Sequence, residues 1–72
     1  MADTVVKIIE LVGVSSDSFS GAVRNAVSEA SKTIRGITGV EVVRSSAKVD
    51  NGQITEYRVD LKIAFPVERA DA

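Results

Sequence analysis

The sequence predicts an α+β fold: three antiparallel strands in the spatial order 1-3-2, packed on one helix, in the chain order strand, helix, strand, strand. Three features point to it. From Ile54 to Val67, Thr55, Tyr57, Val59, Leu61, Ile63, Phe65 and Val67 alternate with Glu56, Arg58, Asp60 and Lys62. That period of two marks a strand with one apolar face. Between Phe19 and Ile34, the residues Phe19, Ala22, Val23, Ala26, Ala30, Thr33 and Ile34 recur at helical spacing, so a helix lays one stripe on a sheet. Asp50-Asn51-Gly52 is a hairpin signal, because Asn and Gly tolerate positive φ.

All 72 residues are expected to form a single domain, 1–72. The first strand is expected over 4–12. Val5, Lys7, Ile9 and Leu11 fall on one side of it, and Val6, Ile8, Glu10 and Val12 on the other. Both sides are mostly apolar and need cover. One helix covers only one face of a small sheet, so the second cover is expected from another subunit. Gly13 is read as the end of this strand.

The helix is expected over 16–35. Ser15 or Ser16 serves as its cap, Asp17 complements its positive end, and Gly36 takes the left-handed position that closes it. The second strand is expected over 39–49 and the third over 54–67. Matching apolar faces puts Val43, Ala47 and Val49 on the side of Tyr57, Val59 and Leu61. Arg44 then pairs with Asp60 and Lys48 with Glu56, with a loop of about three residues. Glu68 to Ala72 reads as a frayed tail. A helical crossover makes the first two strands parallel, and inserting the third between them makes every neighbouring pair antiparallel.

Composition narrows the chemistry. A chain this short buries only ~60% of its unfolded surface and usually needs a staple or a partner. There is no Cys and no His, which removes disulfides, thiolate zinc sites, thiol catalysis and the commonest general base. Self-association is the remedy that remains, and no enzyme is expected. A formal net charge of −1 and three aromatic residues in all offer nucleic acid neither a basic field nor a stacking platform. The absence of an apolar run near 20 residues argues against a membrane span. Asp3 and Lys7 break the layout of a cleaved signal, and a cytoplasmic protein is expected.

Val5-Val6-Lys7-Ile8-Ile9-Glu10-Leu11-Val12-Gly13, Lys32-Thr33-Ile34-Arg35-Gly36-Ile37-Thr38-Gly39-Val40-Glu41-Val42, Glu56-Tyr57-Arg58-Val59 and Ala64-Phe65 resemble the dodecin family in order and spacing, from Val5 to Glu68. The resemblance implies a β-α-β-β subunit, built through trimers into a hollow homododecameric shell whose best-known members sequester flavins. Those members carry a Trp where this chain has Gly39, and a third-strand Gln where it has Arg58. A glycine has no π surface for stacking, so a flavin is not expected.

The sequence is most similar to the Trp-lacking branch, known from mycobacteria as calcium dodecins, and that implies calcium. Calcium takes six to eight oxygens, which a subunit interface can collect. Candidate ligands are Glu10, alone on an apolar strand face, Glu41 and Asp60 on strands that can approach symmetry axes, and Asp50 and Asn51 at the hairpin tip. Each has a plainer explanation: ion pairs for the first three, turn formation for the last two. The leading function is a non-enzymatic calcium-binding shell for storage or sequestration. The alternatives are a flavin carrier using another contact such as Tyr57, and a structural assembly with incidental ions.

Overall fold

The computed structural model describes residues 4–67. The elements are β1 (Val6–Ser15), α1 (Phe19–Ser31), β2 (Gly39–Asp50) and β3 (Gln53–Pro66). β3 lies between β1 and β2 and runs antiparallel to both, giving the expected order 1-3-2. The tail expected over Glu68 to Ala72 lies outside the described residues.

The apolar alternation of β3 aims Val59, Leu61 and Ile63 at the helix, and all three are fully buried. Ala22, Ala26 and Ala30 meet them from α1. The helix packs on β1 and β3, and every residue of β2 stays exposed or half-buried.

The element bounds differ from the sequence expectation for local reasons. β1 does not stop at Gly13 but continues to Ser15, pairing Gly13 with Val59. Gly13 is there because the helix crosses it closely: a Cβ would run into the Ala22 carbonyl oxygen and lie 3.1 Å from the Ala26 Cβ. The helix is shorter than 16–35 at both ends. Ser18, rather than Ser15 or Ser16, is the cap, its Oγ accepting the Gly21 N–H at 2.9 Å. Ser15 Oγ instead accepts the Asp17 N–H at 3.0 Å in the approach to the helix. Asp17 therefore precedes the cap, and the first turn holds no acid.

At the other end, the Lys32 and Thr33 amides bond back three residues and the Ile34 amide four, which tightens and ends the last turn. Gly36 has the expected positive φ, 71°, but beyond the helix proper.

In the hairpin Arg44 opposes Asp60 and Lys48 opposes Glu56, as expected. The turn itself is shorter than expected. Asp50 pairs with Gln53, and only Asn51 (φ 57°) and Gly52 (φ 77°) lie between. Both central residues are left-handed, the conformation that matches strand twist. The register shift between Lys48 and Val49 reconciles this tight turn with the charge pairing, and a second shift follows between Val42 and Arg44. Val43 is the extra residue of that second shift. It lines a hollow with Glu10, Val12 and Asp60, away from the side of Tyr57 where the pattern had put it.

Candidate functional site: the helix-free face of the sheet

The strand pairings assemble the face that α1 leaves bare. Side chains directly opposite one another share a face, so each level of the sheet reads as a row from β1 through β3 to β2. One row is Glu10–Lys62–Glu41, the next Val12–Asp60–Arg44, the next Val14–Arg58–Ser46. Glu56 and Lys48 follow on β3 and β2 alone. Above the first row lie Ile8, Ala64 and Gly39.

The apolar half of this face is open. Val6, Ile8, Val12 and Val14, all on β1, remain 43–51% exposed. The charged half is loosely tied within the subunit. Arg44 Nε lies 3.7 Å from Asp60 Oδ2, and Arg58 Nη1 lies 3.9 Å from Glu56 Oε2. Pairs of that length and exposure add little to the stability of a lone subunit.

The candidate ligands do not converge. Glu10 and Glu41 flank the same lysine, Lys62, from opposite sides. Asp60 faces Arg44 one row away. Asp50 and Asn51 sit in the hairpin turn, on the order of 30 Å along β2 from Glu41 at about 3.3 Å per residue. Among the described residues, no three acidic groups come together as a metal would need. The described residues of one subunit therefore do not bring a calcium shell together by themselves.

Gly39 and Arg58 share the bare face, but they are roughly 20 Å apart along the strands. Beside Gly39 a hollow of about 240 Å³ is lined by Ile8, Glu41, Lys62 and Ala64. Tyr57, considered as a substitute for the missing indole, is opposite Ser15 and Ala47. Its ring meets Phe19, the first residue of α1, edge-on at 4.9 Å between centroids. It lies on the far side of the sheet from Gly39 and cannot take over that contact.

Two features escaped the residue pattern. Lys62 is shared by two glutamates, which shows only once both strand registers are known. A second hollow of about 300 Å³ opens where Val43 bulges, with Glu10 and Asp60 on its wall. The alternation of sign along Glu56, Arg58, Asp60 and Lys62 was the one available signal. Among the described residues no helix is long and apolar enough to cross a membrane.

Comparison with known proteins places this architecture. The dodecin family model matches residues 5–68. The dodecin of Thermus thermophilus is 33% identical over 64 residues, 89% of this chain and 93% of that protein. The structure of the dodecin from Streptomyces coelicolor superposes with a TM-score of 0.91 at 36% identity, covering 97% of this chain and all of the other. The calcium-chelating antigen of Mycobacterium tuberculosis, a calcium dodecin, superposes with a TM-score of 0.78 at 30% identity, covering 92% and 94% of the two chains. With its order of elements, its sheet and nearly its whole length matched, the chain belongs to the dodecin family.

Proposed function

We propose that this chain is the subunit of a non-enzymatic homododecameric shell that holds a small ligand or ion, calcium first among them. One observation carries this reading: a sheet covered by its helix on one side and bare on the other, with Val6, Ile8, Val12 and Val14 open to water. Apolar surface left bare in a chain of 72 residues is what association buries. The likeness to a calcium dodecin supports calcium as the ion. Because no cluster of three acids forms among the described residues of one subunit, a calcium site in this shell takes oxygens from more than one copy. Glu10 is its leading donor, with Glu41 and Asp60 after it and Asp50 and Asn51 last. The shell is cytoplasmic, and self-association is its main protein contact.

Two measurements test the reading. Sedimentation velocity at low micromolar concentration should show a large homogeneous assembly, and a compact single subunit overturns it. Calorimetric titration with calcium, with magnesium as control, should give heat for calcium at millimolar concentration or below. No heat removes calcium and leaves the shell. A flavin titration should show no quenching, since Gly39 offers nothing to stack on.

A further inference from the structure

Asparagine occurs twice in this chain, in two settings that differ in what protects a side-chain amide. Asn25 lies inside α1, where helical geometry fixes its backbone and its Nδ2 donates to the Val14 carbonyl oxygen at 2.9 Å. Asn51 lies at the tip of the β2–β3 hairpin and is followed by Gly52, both of them exposed. Among the described residues, neither the Asn51 side chain nor the Gly52 N–H has a hydrogen-bond partner. The place a Gly52 Cβ would take has no neighbour within 4 Å. An amide with no partner, followed by a backbone nitrogen that no side chain shields, is the arrangement in which asparagine loses ammonia most readily.

The segment also opens on its own. β1 pairs with β3 only as far as Tyr57, so residues 48–56 stand beyond it as a two-stranded ribbon. All of them but Glu56 are exposed. The ladder skips Thr55, since Lys48 pairs with Glu56 and Val49 with Ile54. The bond from Thr55 Oγ1 to the Lys48 carbonyl oxygen is long, 3.4 Å. Two strands alone are marginal in water, and a bulge disrupts their ladder further. Such a segment opens at low free energy while the core stays folded. Opening matters because the closed turn holds Asn51 left-handed, at φ 57°. Ring closure needs rotation about the Asn51 Cα–C bond, which the Asp50–Gln53 pair opposes while it lasts.

We infer that Asn51 is a site of spontaneous backbone modification, its amide lost through a cyclic imide formed with Gly52. The Gly52 nitrogen attacks Asn51 Cγ. A bond forms between them, the Cγ–Nδ2 bond breaks, and the Gly52 N–H proton, relayed through solvent, leaves with the amide as ammonia. Water then adds to one of the two imide carbonyls. Cleavage of the new N–Cγ bond gives aspartate in an ordinary chain. Cleavage at the main-chain carbonyl leaves the backbone running through the former side chain, as isoaspartate. Nothing is oxidised or reduced, and water is the sole co-reactant.

Either product adds one negative charge beside Asp50, in a chain whose formal net charge is −1. Isoaspartate also puts an extra carbon into the main chain of a two-residue turn, so Asp50 and Gln53 lose their register.

The test incubates the wild-type protein, in whatever assembly it is purified, at neutral and at mildly alkaline pH, and follows its peptides by mass spectrometry. Asn51 should be consumed and Asn25 kept. Loss should be faster at the higher pH, because the attacking nitrogen reacts once deprotonated. The products should divide into aspartate and isoaspartate, the second identified by methyl transfer from an isoaspartate carboxyl methyltransferase. Ser18→Ala separates local from global opening. It removes the helix cap, a change that raises a globally unfolded population about fivefold, yet Asn51 should be lost at the wild-type rate.

An Asn51 amide that survives in the folded protein and is lost only in urea overturns the inference. Loss of Asn25 alongside Asn51, or a loss that quickens about fivefold in Ser18→Ala, overturns it by making global unfolding the route. Aspartate formed without isoaspartate overturns the cyclic step.

Discussion

Gly13 shows how a single atom sets the distance between helix and sheet. A methyl group there has the Ala22 carbonyl oxygen in its path, and backbone does not swing aside as a flexible side chain does. Gly13→Ala should therefore cost about 1–3 kcal/mol, as overpacked cores do, read as a lower urea midpoint. Gly39→Ala is the matched control. Its added Cβ would lie 3.8 Å from the Ala64 Cβ, an ordinary contact, and the midpoint should move little. Ser18→Ala removes the oxygen that holds the Gly21 amide and should cost about 1 kcal/mol. The sequence did not distinguish these roles. A glycine after an apolar run reads as a strand end, and in the run Ser15 to Ser18 the pattern put the cap at Ser15 or Ser16, because it does not show which hydroxyl meets the first free amide. Gly21 was equally opaque: a Cβ there would crowd the Ser15 and Ser18 hydroxyls at 2.9 and 3.0 Å, a reason visible only once the turn is folded.

At the scale of elements, legibility followed periodicity and charge. The last strand announced its buried side, and Val59, Leu61 and Ile63 are the residues that fill the core. Leu61→Ala should cost 2–5 kcal/mol by the usual range for buried leucines, measurable by the same unfolding curves. The hairpin register was legible because Arg44 with Asp60 and Lys48 with Glu56 satisfied opposite charges. Its loop was not, since register shifts have no signature in the residue pattern. Gly52→Ala in that turn meets no neighbour within 4 Å, yet it forces a left-handed conformation (φ 77°) on a residue with a Cβ. The expected loss is about 1–2 kcal/mol. The candidate site was legible one carboxylate at a time and no further. That Glu10 and Glu41 share Lys62 depends on two registers at once, and that Tyr57 turns away from Gly39 depends on the sheet having two sides.

For the molecule as a whole, the governing asymmetry is that α1 lies over β1 and β3 and leaves β2 without a roof. All its residues are exposed or half-buried, so in isolation this strand is tethered chiefly by its backbone bonds to β3. Segments with few buried contacts open at low free energy and exchange their amide protons readily. Deuterium uptake along Gly39–Asp50 should accordingly be fast in a lone subunit and slow wherever copies associate over this strand, while the amides of Val59 to Ile63 change far less. The outermost strand thus becomes a built-in gauge: its isotope labelling reports, from within a single polypeptide, whether that polypeptide has found its neighbours.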